Sequence, residues 1–131
     1  MSDRLMNRHY VAYHKRFPQA RLIDEDPFCI WTRKKVTQLP DAWVWVMEGI
    51  VGPPRHYLLA SVFRVDRVQW SPPPLFNQAW GMGRAFLPPI PLDPYPWFSL
   101  LLRSTSRFSF GLSLINDQGV IAGLLELGNP D

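Results

Sequence analysis

Short stretches in which apolar residues alternate with polar or small ones recur along the chain, as is typical of β-strands that bury one face. Weak alternation over residues 8–13 and an apolar run over 28–32 predict two early strands. Stronger runs over 43–47 and 57–68 flank the Gly/Pro-rich residues 49–54, which cannot continue a ladder. These runs predict a β-hairpin with a basic tip.

The second hairpin strand has apolar residues on both of its predicted faces, as expected for a central strand of a barrel. Regular alternation assigns Leu58, Ala60 and Val62 to one face. It assigns the remaining apolar residues, which are Tyr57, Leu59, Phe63 and Val65, to the other face.

Proline dominates the following part of the chain. Residues 71–74 break the strand pattern, and residues 75–80 predict a short helix after them. Residues 87–96 contain five prolines and predict no regular structure. Residues 97–102 predict another strand, and residues 120–127 predict either a last strand or a short helix. The sum is a mainly β fold with short helices (α+β) that closes into a small β-barrel, because closure removes exposed strand edges.

The composition fits one domain with a packed core. The chain has 131 residues, of which 47% are hydrophobic and 19% charged. We therefore expect residues 1–131 to form a single domain with a proline-rich excursion at about 71–96. There is no apolar segment of about 20 residues and no signal-peptide pattern, which predicts a cytoplasmic protein without membrane contact.

The chemistry-bearing residues give little sign of a metal site or a cofactor. The single cysteine, Cys29, excludes an intrachain disulfide, and the three histidines lack metal-ligand spacing. No P-loop, dinucleotide fingerprint or Gly-x-Ser-x-Gly motif is present. We therefore predict no metal and no cofactor.

The six tryptophans and the arginine-rich net charge of +3 point to a flat, anionic ligand. Trp43 and Trp45 occupy alternate positions and must point the same way, and an indole face can stack on a base. The opposing interpretation is that the indoles fill the core. Arginine and lysine at strand ends suit phosphate contacts. The predicted nucleic-acid-binding residues are Trp31, Trp43, Trp45, Arg33, Lys34, Lys35, Arg55, Arg103 and Arg107.

The order of these parts resembles the PUA-like superfamily, and within it the EVE/YTH-type and ASCH-type domains. The resemblance covers residues 8–68, from the first strand through the Pro40-Asp41 turn to the strand that ends Val65-Asp66-Arg67-Val68, with an echo at 107–111. Pro40-Asp41 stands where the family usually has Gly-Asp. The resemblance implies a barrel that binds RNA or DNA, and the EVE and YTH branches hold a modified or flipped base in an aromatic pocket.

Two alternatives to a non-catalytic nucleic-acid reader remain open. Resemblance to the ASCH-type amidohydrolases of modified nucleosides implies catalytic roles for Lys34, Thr37 and Glu48, with the lysine activating the threonine hydroxyl. The proline-rich residues 71–74 and 87–91 suit a protein-interaction module, and the excursion that contains them suits a homodimer contact. The choice between RNA and DNA, and the identity of the base, are not determined by the sequence.

Overall fold

The computed structural model describes residues 7–16, 27–32, 38–50, 54–72, 77–105, 108 and 112–130. Six strands and two helices make up this part of the chain. In chain order they are β1 (His9–Arg16), β2 (Cys29–Thr32), β3 (Trp43–Ile50), β4 (His56–Gln69), β5 (Asn77–Pro91), α1 (Pro96–Ser104), β6 (Ser113–Leu114) and α2 (Gln118–Leu127).

The strands form one sheet in the order β2-β5-β4-β3-β1-β6. The β3–β4 hairpin is antiparallel as predicted, whereas β1 pairs with β3 in parallel, with His9 opposite Trp43. The sheet curls like half of a barrel, and among the described strands β2 and β6 are its edges. The prediction of a mainly β fold with short helices is confirmed, and so are the four predicted strands of the first half of the chain.

Both faces of the sheet are covered near its centre, so the central strands are apolar on both sides. One face, the helix face, carries Trp43, Trp45 and Met47 of β3 against Phe98 of α1 and Leu124 of α2. The opposite face carries a second buried cluster. That cluster includes Val44, Val46, Phe63, Val65, Leu39 and Leu112.

Two bulges on β4 change the faces that regular alternation predicts. The register shifts between Leu59 and Ser61, and again between Val65 and Arg67. Each extra residue reverses the alternation beyond it. Tyr57, Leu59 and Val62 therefore share the helix face, whereas Ala60, Phe63 and Val65 pack on the opposite face. The predicted grouping was wrong for this reason.

The proline-rich residues belong to a strand. Residues 77–80 start β5 instead of belonging to a helix, and residues 87–91 end β5 instead of being irregular. Ala85 pairs with Ser61 and Ile90 pairs with Leu59, so residues 86–89 interrupt the ladder. Pro88 and Pro89 thus lie where no ladder donor is needed, which reconciles proline with a strand. Likewise β3 continues through Gly49 and Ile50, which the turn prediction had excluded.

Residues 97–102 form helix α1 and not the predicted strand. Pro96 occupies the first turn, where its missing N–H is harmless, and Phe98 and Leu101 are buried three residues apart. Of the two alternatives for residues 120–127, the helix is correct. Asp117 caps α2 by accepting hydrogen bonds from the backbone N–H groups of Gly119 (2.8 Å) and Val120 (3.1 Å).

Candidate functional site

The two tryptophans ranked first from the sequence lie in the core. Trp45 is 0% exposed and Trp43 is 9% exposed, and both belong to the cluster beneath the helices. The prediction that they point the same way is confirmed by their shared face, but that face is the buried one. Neither indole presents a ring surface to solvent in this arrangement, so the structure does not supply the expected aromatic pocket at these residues.

Two of the predicted basic residues lie within the described part of the chain. Arg55 is exposed just before β4 begins, and Arg103 is exposed in the last turn of α1. Arg33, Lys34, Lys35 and Arg107 lie outside the described residues. Of the residues in the amidohydrolase alternative, Glu48 is half-buried on β3 opposite His14, and Thr37 lies outside the described residues.

Arg55 influences a buried phenol. Burial raises the pKa of Tyr13 above its usual value, and the Arg55 guanidinium lowers that pKa by less than burial raises it. Tyr13 also stacks on Phe108, with ring centroids 4.8 Å apart. The pKa of Tyr10 is raised by burial as well, with Arg8 acting in the opposite direction. Both phenols therefore remain neutral well above neutral pH and support the core more than a binding site.

An accessible surface of the expected chemistry lies elsewhere, on the part of the helix face formed by β2, β5 and the end of β4. We call it the open sheet face. Pairing across these strands brings together tryptophans, arginines and amides, because opposite residues in an antiparallel ladder share a face. Its residues are Trp31, Gln78, Trp80, Met82, Arg64, Arg67 and Gln69.

The geometry of the open sheet face is set by register. Trp31 lies opposite Gln78, and Trp80 lies opposite both Cys29 on β2 and Arg67 on β4. The Arg67 guanidinium carbon lies 4.4 Å from the centroid of the Trp80 ring, a cation–π contact. The side-chain amide of Gln78 donates to the Cys29 sulfur at 3.1 Å.

Two apolar side chains of this face are strongly exposed. Trp31 is 59% exposed and Met82 is 76% exposed. Of the three tryptophans predicted to bind nucleic acid, Trp31 alone is accessible, since Trp43 and Trp45 are buried. An exposed indole beside a cation–π pair offers an apolar ring face that a ligand can contact.

The charge at this surface is mainly positive. Arg64 lies on the same face as Arg67 and is 3.9 Å from Asp41, an exposed pair that contributes little to stability. Arg84 lies two residues after Met82 on β5. Its guanidinium donates to the Asn129 carbonyl at 2.8 Å and lies over the Phe86 ring. The surface therefore offers arginine donors beside flat apolar rings.

A period-two pattern in the sequence marks this surface. Between residues 78 and 85 the large side chains of Gln78, Trp80, Met82 and Arg84 alternate with the small residues Ala79, Gly81, Gly83 and Ala85. The prediction of a helix ending at the glycines missed this alternation. With it, Trp80 and Arg84 would have been placed on one face of a strand.

The chemistry that this surface can perform is binding by charge, hydrogen bonds and stacking. Within the described ranges, no group of three or more His, Cys, Asp or Glu side chains is arranged to hold a metal ion. No helix among the described residues has the length and apolar character needed to cross a membrane.

Comparison of the chain with protein-family models, with curated proteins and with solved structures gives no match. The PUA-like resemblance stays a prediction, and the function rests on the geometry of the open sheet face.

Proposed function

We propose that this protein is a non-catalytic nucleic-acid-binding domain whose contact surface is the open sheet face. The observation that carries the proposal is the Arg67 guanidinium held over Trp80 beside the exposed ring of Trp31. Arginine binds phosphates and stacks on bases, and an exposed indole supplies a second stacking surface.

The position of the arginines favours a polyanion. Arg64 and Arg67 lie near the end of β4 on the same face, at positions set by the ladder with β5. A rigid scaffold of this kind keeps positive side chains at fixed separations, as contacts to successive phosphates require. The net charge of +3 adds a weak, non-specific attraction.

The proposal moves the contact surface away from Trp43 and Trp45. Trp43 lies opposite Arg64 in the β3–β4 ladder, so it forms the buried border of the open sheet face. Its role there is to support the backbone beneath Arg64. A flipped base held between Trp43 and Trp45 would require the helices to leave the core, and we do not include it in the proposal.

The test is binding of fluorescein-labelled oligonucleotides, both single-stranded and duplex, at about 50 mM and about 200 mM salt. We expect affinity to fall with salt, and Arg67→Gln to weaken binding and reduce the salt slope by about one. Arg103→Gln is the matched control, because it removes the same charge from an exposed position on α1.

The binding data distinguish failure of the proposed surface from failure of the proposed function. Loss of affinity in Arg67→Gln with wild-type behaviour in Arg103→Gln supports the proposed surface. Equal effects of the two variants would reject the surface. Absence of binding to every oligonucleotide at the lower salt concentration would reject the function.

A further inference from the structure

We infer that the ligand of the open sheet face is a single strand, which crosses the sheet from β2 over β5 to β4 with one base on Trp31 and a neighbouring nucleotide on the Trp80–Arg67 pair. The inference rests on the proposed function and specifies its ligand. It adds a strandedness and a path across the sheet that nucleic-acid binding alone does not imply.

The spacing of the two aromatic positions is wider than one step of a regular base stack. Trp31 is opposite Gln78 and Trp80 is opposite Cys29, so the two tryptophans are diagonal neighbours on adjacent strands. Diagonal neighbours lie roughly 7–8 Å apart, whereas successive bases of a duplex strand are about 3.4 Å apart. Neighbouring bases on the two positions are therefore not stacked directly on each other, as an extended single strand allows.

The accessibility of the base faces also favours a single strand over a duplex. An indole on a sheet surface stacks on the flat face of a base, and in a duplex that face is covered by the neighbouring base pairs. Only the edges of paired bases are open in the grooves. Trp31, at 59% exposure, is suited to an unpaired base and has no means of contacting a paired one through its ring.

The two positions are chemically different, so they contact the bound strand in different ways. Trp31 offers an open ring, whereas Trp80 already carries Arg67 at 4.4 Å. A nucleotide there meets a guanidinium, which stacks on a base or holds a phosphate. Arg64, farther along β4 on the same face, lies where the backbone leaves the sheet.

The decisive experiment compares short oligothymidylate alone with the same strand paired to oligodeoxyadenylate, using fluorescence anisotropy and the full chain. We expect the single strand to bind more tightly. Trp31→Leu keeps an apolar side chain but removes the ring, and should weaken single-strand binding about 5- to 150-fold. Trp31→Phe keeps a ring and should retain most of the affinity.

Leu114→Ala is the control for exposed apolar surface. Leu114 is 45% exposed on β6, at the opposite edge of the sheet from β2 and outside the open sheet face, so its truncation should change the affinity less than about two-fold. Quenching of the intrinsic fluorescence by oligothymidylate should also be smaller in Trp31→Leu than in the wild type. Circular dichroism of each variant checks that its fold is intact.

Equal affinity for duplex and single strand, together with no effect of Trp31→Leu, would overturn this inference while leaving nucleic-acid binding in place. A loss in Leu114→Ala as large as that in Trp31→Leu would also overturn it, because the ring of Trp31 would then have no special role. Absence of binding to either probe would overturn the proposed function as well. If Trp31→Leu fails to fold, Trp31→Phe decides. Full affinity for the single strand with an unchanged preference for the single strand over the duplex supports the inference, and loss of that preference rejects it.

Discussion

The indole N–H of Trp45 donates a hydrogen bond to Nδ1 of His9 at 2.9 Å, and both side chains are completely buried. Their rings lie on neighbouring strands with an interplanar angle of 20°. Because Nδ1 accepts, it carries no hydrogen in this arrangement. The bond joins the parallel β1–β3 pair beneath the helices and gives Trp45 a structural role.

Replacing Trp45 by phenylalanine should destabilise the protein by about 2 kcal/mol or more, because the change removes the donor to a buried acceptor and also leaves a small cavity. Urea denaturation at neutral pH measures the loss. Trp70→Phe is the matched control, since Trp70 is half-buried and no hydrogen bond of its indole lies among the described residues. Similar losses in the two variants would show that the His9 bond contributes nothing measurable.

The sequence predicts the common direction of Trp43 and Trp45 but not what covers them. Alternation within a strand fixes which residues share a face. The cover comes from α1 and α2, and residues 97–102 of α1 carry an apolar run too short for its periodicity to separate a helix from a strand. Because helix α1 was not predicted, the face that it covers was predicted to bind the ligand.

Alkaline pH should destabilise the protein through Tyr13. Burial raises the pKa of Tyr13, so above about pH 10 the folded state retains a proton that the unfolded chain has lost. Stability therefore falls as the pH rises from the unfolded value towards the folded one. Tyr13→Phe cannot ionise and should lose less stability than the wild type over this range.

Denaturation of the two proteins at about pH 8 and about pH 11 tests this effect of Tyr13. The measured quantity is the change in the stability difference between them, which removes contributions from all other titrating groups. A difference that stays constant over this range, or that moves in favour of the wild type, would contradict the prediction.

Close approach of β5 to β4 explains the glycines that misled the helix prediction. A Cβ added at Gly81 would meet the carbonyl oxygen of Arg64, and one added at Gly83 would meet that of Val62. These contacts are with backbone, which cannot rotate away. The sequence shows the glycines, but only the paired strand shows that their missing side chains allow the curl of the sheet.

Gly83→Ala should therefore destabilise the protein by about 2 kcal/mol or more, although glycine in a strand usually costs about 0.5–1 kcal/mol relative to alanine. The clash with the β4 backbone outweighs the gain in chain entropy. Ala85→Gly on the same strand is the control and should lose only the ordinary amount. Thermal or urea denaturation compares them, and a Gly83→Ala protein as stable as the wild type would show that β5 can move away from β4.

Arg67 lies near the end of a strand that the sequence predicts, whereas its cation–π partner Trp80 was assigned to a helix. The pairing of Arg67 with Trp80 depends on the bulge between Val65 and Arg67, because that bulge returns the arginine to the helix face. Bulges leave no clear mark in this stretch of sequence, so the cation–π pair becomes visible only in the folded chain.

Asp41 combines a turn conformation with a charge beside the proposed contact surface, and the two can be separated by substitution. Its φ of 68° is in the left-handed region, which asparagine also tolerates, and its carboxylate lies 3.9 Å from Arg64. Asp41→Asn should leave stability almost unchanged, because an exposed ion pair contributes little. If the proposed function holds, removing this negative charge should tighten oligonucleotide binding about two- to five-fold at about 50 mM salt, and by less at about 200 mM. Anisotropy titrations at both salt concentrations measure the effect.

Asp117→Asn is the charge-matched control for Asp41→Asn, since it keeps a capping side chain at α2 while removing a carboxylate far along the chain from the open sheet face. Equal tightening in both variants would indicate a general effect of net charge, and no tightening in Asp41→Asn would place the bound phosphates away from Arg64.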